Sequence, residues 1–186
     1  CELSRGLGDV YKRQQYFYYT RYEKDKQYPI YCRKKGSLDS KEEILIDANI
    51  MSEGHEYFRV GDIEISPDNK IMAYSIDTVS RRIYTIHFKN LETGKTLSKK
   101  IPNTSGSITW ANDNKTFFYN LKDLETLRTE RVMRCDLNSD ESEKEIFYEE
   151  DETFSVYSYK TKSDKFIVIG SSATLSQEYR YICLLY

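Results

Sequence analysis

No stretch of 18 apolar residues occurs in the 186-residue chain, so no segment of it spans a bilayer as a helix. Histidine is almost missing, with two residues, and the four cysteines (Cys1, Cys32, Cys135 and Cys183) are too widely scattered for metal-ligand spacing. Together these exclude a His/Cys zinc site and leave free thiols of a reducing compartment. An excess of one charge is absent too: 28 Lys and Arg stand against 30 Asp and Glu, for a net charge of −2. That balance supplies no electrostatic reason for a nucleic-acid or anionic-membrane partner. What the chain does have is aromatic residues, 17 Tyr and 8 Phe, which favour strands because flat rings pack well on pleated sheet. With 39% hydrophobic residues over this length, one domain with a real core can form.

The most informative stretch is residues 63–77, IEISPDNKIMAYSID, in which two apolar runs flank the polar turn Ser66-Pro67-Asp68-Asn69-Lys70. Pro presets φ for a turn, and Asp and Asn favour turns through local side-chain bonds, so the segment reads strand, tight turn, strand. The design returns at 108–122, ITWANDNKTFFYNLK, with Asp113-Asn114-Lys115 standing 45 residues beyond Asp68-Asn69-Lys70. A looser copy at 158–170, SYKTKSDKFIVIG, places Lys165 50 residues beyond Lys115. A strand-rich unit repeating every ~40–50 residues is the signature of β-propeller blades. The expected fold is therefore all-β, a partial propeller of about two complete four-stranded blades and two incomplete ones.

In order, strands are expected at 15–22, 28–34 and 43–47, and residues 48–59 read as a loop containing His55. The second blade (60–106) has strands at 63–66, 71–77, 81–90 and 96–101, with Ile83, Thr85 and His87 alternating against Tyr84, Ile86 and Phe88 as in a half-buried strand. The third (107–153) has strands at 107–110, 116–121, 128–137 and 145–148. The fourth (154–182) is incomplete, with strands at 154–160, 166–171 and 178–182. No helix is expected; the leucine spacing of 121–130 reads as a blade loop. Both ends read as foreign to the domain. Residues 1–14 (CELSRGLGDVYKRQ) and 183–186 (CLLY) resemble translated adapter sequence, and they are set aside as non-native segments flanking a propeller at 15–182.

Longer phrases carry a resemblance. GHEYFRVGDIEISPDNKIMAYSIDT (54–78), YFYYTRYEKDKQYPIYCRKK (16–35), ITWANDNKTFFYN (108–120), LRTERVMRCDL (127–137) and FYEEDETFSVYSYKTKSDKFIVI (147–169) are similar, in order and without large gaps, to oligopeptidase B in the prolyl oligopeptidase family of serine peptidases. The resemblance covers about residues 15–182. It implies a seven-bladed propeller over a C-terminal α/β-hydrolase domain, its bulk excluding folded proteins while short peptides enter for cleavage after Arg or Lys, in a cytoplasmic enzyme. The partners it implies are that hydrolase domain and oligopeptide substrates, with no nucleic acid and no membrane. The family's Ser-Asp-His triad belongs to the hydrolase domain. No Gly-x-Ser-x-Gly elbow occurs here: Gly170-Ser171-Ser172 lacks the second Gly, and neither His55 nor His87 matches a catalytic position. No catalytic, cofactor-binding or metal residue is assigned, and the P1-specificity residues fall outside the chain. The alternative is a stand-alone propeller serving as a protein-interaction platform, since the fold hosts many functions.

Other patterns have plainer accounts. Asp136-x-Asn138-x-Asp140 starts like a calcium loop, but Glu141 stands where Gly is needed and Phe147 where a bidentate Glu is needed, leaving a solvated hairpin turn. Asn103-Thr104-Ser105 and Asn114-Lys115-Thr116 fit the glycosylation sequon by chance composition. The basic, aromatic stretch from Lys12 to Lys35 has the ingredients of a single-strand stacking surface, yet alternating aromatics in a strand are normally sheet packing. Glu149–Glu152 reads as a solvated turn between blades. Asp62 and Glu64, on an innermost strand, are the better candidates to face a central channel.

Overall fold

The computed structural model describes residues 10–13, 15–139 and 143–184, which divide into two compact units at Glu56/Tyr57. Among the described residues, no helix is long and apolar enough to cross a membrane. Cys32, Cys135 and Cys183 are free thiols.

The first unit is a four-stranded antiparallel meander of β1 (Tyr11–Arg13), β2 (Tyr16–Arg21), β3 (Ile30–Lys35) and β4 (Glu42–Asp47), paired in chain order. Tyr11–Arg13 lies in the N-terminal segment that the sequence reading set aside. It pairs with β2 all the same, Tyr11 facing Tyr18 with the rings stacked at 5.3 Å. Cross-strand aromatic pairs of this kind are a main source of sheet stability. Residues 48–51, read as loop, form the short helix α1 (Ala48–Met51). Its signal is local: the Asp47 carboxylate accepts from the amides of Asn49 and Ile50, satisfying donors the first turn leaves free.

The second unit holds a seven-stranded antiparallel sheet. Its strands are β5 (Arg59–Ile65), β6 (Ile71–Asp77), β7 (Tyr84–Asn90), β8 (Thr96–Trp110), β9 (Thr116–Lys122), β10 (Thr129–Asp136) and β11 (Lys144–Tyr148). A three-stranded sheet follows, of β12 (Ser155–Lys160), β13 (Phe166–Ser172) and β14 (Gln177–Cys183). The repeat read from the turns is real. Asn69, Asn114 and Asp164 all take the left-handed conformation, with φ of 63°, 64° and 57°, which Asn and Asp tolerate best among residues with a side chain. Each turn is tied to the strand end beside it in one way: the amides of Leu91, Leu137 and Leu184 donate to the carbonyls of Lys70, Lys115 and Lys165 at 2.7, 2.8 and 2.8 Å. Leu184, in the C-terminal segment set aside as foreign, thus occupies the third copy of a repeated position and is buried.

One boundary differs from expectation. The strands expected at 96–101 and 107–110 are halves of a single strand, β8, which ends one repeat and begins the next. The chain bends inside it at Asn103 (φ 63°) and Gly106 (φ 95°), where the register with β9 shifts between Thr104 and Ile108. The bend stays bonded because the buried Thr104 hydroxyl donates to the Tyr84 carbonyl at 3.0 Å and accepts from the Gly106 amide at 3.2 Å. A Cβ at Gly106 would meet the Tyr84 ring at 2.9 Å, so the position needs glycine for space as well as for φ.

Candidate functional site

Within the larger unit, the side chains that do more than fill space gather where one repeat meets the next. Between the second and third repeats the contact is mainly apolar. Ala73, Ile86, Phe88 and Ile101 from β6–β8 pack against Ile108, Trp110, Phe117, Tyr119 and Cys135, all nearly inaccessible. The Trp110 ring lies 5.6 Å from Phe117 and edge-on to Phe88 at 6.4 Å, while its indole N–H donates to the Glu64 carbonyl at 3.1 Å. Asp62 Oδ2 accepts from the Ile108 amide at 3.2 Å, and Asn114 Oδ1 accepts from the Asp68 amide at 2.8 Å. Asp62 and Glu64, the sequence's candidates for a channel face, stitch two repeats together through a carboxylate and a main-chain carbonyl.

The junction between the third and fourth repeats has smaller apolar clusters, Val132 with Val156 and Ile169, and Ala111 and Phe118 with Ile167 and Leu184. Its seam is more polar. Ser158 Oγ donates to Asn120 Oδ1 at 3.0 Å in a buried setting, and Asn112 Nδ2 donates to the Asp164 carbonyl at 2.7 Å. The connection from β11 to β12 is a loop, residues 149–154, held by Arg128. The guanidinium donates to the main-chain carbonyls of Glu149 (3.2 Å), Asp151 (3.3 Å) and Phe154 (3.0 Å) and to Glu130 Oε2 (3.1 Å). Glu149 also accepts from the Ser171 hydroxyl. Around this point a cleft of about 620 Å³ is lined by Arg128, Glu130, Arg131, Tyr148, Glu150 and Ser155, among others. Sequence reasoning missed Arg128. Its acceptors in that loop are backbone atoms 21 to 26 residues away, which no local pattern encodes.

The other residues singled out from sequence are scattered. Ser171 lies inside β13, where its neighbour Gly170 leaves room for the Tyr157 ring; a Cβ there would meet that ring at 2.3 Å. His87 stands on β7 stacked on Tyr74 at 5.4 Å, and burial together with the nearby Lys100 holds its pKa below the usual imidazole range. His55 is exposed on the turn after α1, its amide donating to the Ser52 carbonyl. The Glu149–Glu152 run is the loop that Arg128 clamps. In the sequons, Asn103 sits in the β8 bend with the Thr104 hydroxyl engaged, and Asn114 sits in its turn with Thr116 buried. Asp140 and Glu141 of the calcium-like pattern lie outside the described residues. Along Lys12–Lys35 the cations lie over rings of their own sheet: Lys12 over Phe17 at 5.3 Å and Arg33 over Tyr16 at 4.1 Å. Arg21 is paired with Glu42, which also accepts from Tyr19 at 2.6 Å. Cys32 beside them is buried, and that burial chiefly, with the Glu42 charge, pushes its thiol up to about 12. A thiol so placed is a poor nucleophile at neutral pH.

Two four-stranded antiparallel repeats joined at β8, a third sheet in the same register of turns, and a separate four-stranded meander make this chain a run of propeller blades. The N-terminal β-propeller domain of prolyl oligopeptidases matches residues 6–185. The chain belongs to that family. It is 37% identical to the dipeptidyl aminopeptidase BI of Pseudoxanthomonas mexicana over 91% of its length, and 37% identical to protease 2 of Moraxella lacunata over 90%. Among solved structures, oligopeptidase B from Leishmania major matches with a TM-score of 0.90 and 31% identity over 96% of the chain. The propeller domain here spans about a quarter of the length of those relatives: 26%, 25% and 26%, respectively.

Proposed function

We propose that this propeller domain gates a peptidase. In that reading it sits over a C-terminal α/β-hydrolase domain carried by the remainder of a longer chain. Its bulk keeps folded proteins from the catalytic serine while short peptides pass, and cleavage follows Arg or Lys in a cytoplasmic enzyme. The observation that carries the proposal is the 37% identity across nine-tenths of the chain to named peptidases about four times as long. The hydrolase would form and hydrolyse an acyl-enzyme through Ser, His and Asp, so the residues described here contribute size selection and a docking surface, not bond breaking. Oligopeptides are the proposed substrates. Nucleic acid and membrane are not proposed as partners, in keeping with the net charge of −2 and with cations already stacked on Tyr and Phe rings.

The test is to extend the reading frame through the source locus, express the complete product and assay it. The proposal expects a downstream Gly-x-Ser-x-Gly elbow, and hydrolysis of short peptides after Arg or Lys with folded proteins left intact. A frame that closes after the propeller overturns it and leaves the interaction platform. Equal cleavage of folded proteins overturns the gating role alone.

A further inference from the structure

The β6–β7 connection of the second repeat, residues 78–83, is held in a costly conformation. Ser80 and Arg82, neither of them glycine, take φ of 60° and 53°. The fully buried Asp77 carboxylate keeps them there, its two oxygens accepting from the Val79 and Arg82 amides at 2.8 Å each. Left-handed non-glycine residues persist only where their surroundings over-determine them, and they gather at ligand clamps. In the third repeat the corresponding loop, residues 123–128, spends its Arg128 on main-chain carbonyls. Arg82 is not spent in this way. Two more cations stand with it at the same end of the sheet: Arg59, at the start of β5 and opposite Asp77 across the strands, and Lys122, at the end of β9. The Arg59 and Arg82 charges both reach the buried Tyr84 phenol, while burial first and then the Arg82 charge hold the Lys122 ammonium below the usual lysine range. Among the described residues, none of the three makes an ion pair. Asp77 is the carboxylate among them, with both oxygens engaged, so three positive charges face one negative. The base beneath is rigid: the Tyr84 ring lies against Gly61 and Gly106, where an added Cβ would come within 2.7 and 2.9 Å of it.

We propose that Arg59, Arg82 and Lys122 form a subsite for the C-terminal carboxylate of the peptide substrate. The inference rests on the gating reading above. β5 opens its repeat, at the edge of the sheet that a closed ring turns toward the central channel, so Arg59 stands on the path a peptide would take. A guanidinium matches a carboxylate in a two-point contact. A loop already fixed in its bound shape loses little freedom when the ligand arrives. The surplus of positive charge also draws anionic groups toward that end of the channel. A peptide with a free C-terminus is therefore favoured over the same peptide with its end blocked as an amide.

The experiment uses the complete product of the extended reading frame and pairs of short single-arginine peptides that differ only in a C-terminal carboxylate or carboxamide. The proposal expects KM for the free acids to be lower by roughly fivefold to tenfold, an advantage that shrinks as salt is added. Arg82→Gln and Lys122→Gln should each reduce that advantage to about twofold or less. Lys95→Gln, in the β7–β8 turn at the other end of the sheet, should keep it. Binding of a peptide pair without Arg or Lys, read by calorimetry, gives the same comparison without turnover. A product that hydrolyses nothing therefore overturns the gating reading, while the calorimetry decides the subsite by itself. If circular dichroism shows that one variant fails to fold, the other variant and the parent's own preference decide. Equal affinity of the parent for acids and amides overturns the proposal. A preference that survives both substitutions overturns it as well, because the carboxylate is then held elsewhere. So does a loss of activity that falls equally on acids and amides, which assigns the three cations to an acidic group of the hydrolase domain.

Discussion

The two junctions of the larger unit join similar repeats by different means. Between the second and third repeats one strand, β8, belongs to both repeats, and an aromatic cluster around Trp110 packs the two together. Between the third and fourth the main chain leaves the sheet for a loop, the apolar clusters are smaller, and Arg128 holds the loop by its carbonyls. A continuous strand satisfies its backbone groups by pairing. A loop must find donors elsewhere, and a guanidinium with five N–H groups is the side chain best able to supply several at once. The difference shows how one repeat can be connected by packing at one seam and by hydrogen bonding at the next.

The comparison breaks most readily at Trp110. Trp110→Ala removes the centre of the larger cluster and should cost about 3–5 kcal/mol, read as a fall in the urea midpoint. A loss below about 1 kcal/mol would mean the apolar junction is not what holds those repeats together. Next comes Arg128→Ala, expected to cost about 2 kcal/mol because the half-buried carbonyls of Glu149 and Phe154 and the exposed one of Asp151 lose a charged donor. Hydrogen exchange should rise across residues 149–154 and stay unchanged in β8; a rise spread evenly over both junctions would contradict the division drawn here.

Asn114 sharpens the first junction further. Asn114→Ala puts a Cβ-only residue at φ 64° and deletes the bond to the Asp68 amide, for a cost of about 1–2 kcal/mol. Asn114→Gly keeps the backbone conformation and loses only the bond, so it should fall between alanine and the parent in melting temperature.

The smallest effect expected is a pH dependence from His87. Burial and Lys100 lower its folded-state pKa, so the unfolded chain binds the proton more readily. Stability should therefore fall as the pH drops below the unfolded value of about 6.5, and remain unaffected by this group above it. His87→Phe, which keeps a ring to stack on Tyr74, should flatten the melting temperature between pH 7 and 5. An unchanged slope would assign that dependence to other groups.

Much of this architecture could be read before the structure, and the reason is local. The Ser66–Lys70 and Asp113–Lys115 turns carry their geometry in adjacent residues, Asn at the left-handed position followed by Lys and an apolar strand. The alternation of Tyr84, Ile86 and Phe88 against Thr85 and His87 is buried on one side as its period requires. What escaped has two causes. Short local signals were passed over, as with the Asp47 cap of α1, or set aside with the chain ends, as with Tyr11–Arg13 and Leu184. The rest lies in pairs distant along the chain. Arg128 with the 149–154 carbonyls, Asp62 with the Ile108 amide and Ser171 with Glu149 join groups 21 to 46 residues apart.

By itself, the sequence determined the all-β character, the three related turns, their spacing and the strand faces, because turn conformation and side-chain alternation depend on near neighbours. Only the tertiary structure decided that two expected strands are one, that Gly106 and Gly170 stand where rings cross the backbone, and that a single arginine closes the second junction. Those outcomes depend on which surfaces meet, and contact between surfaces is settled by the packing of whole sheets rather than by any stretch of the chain.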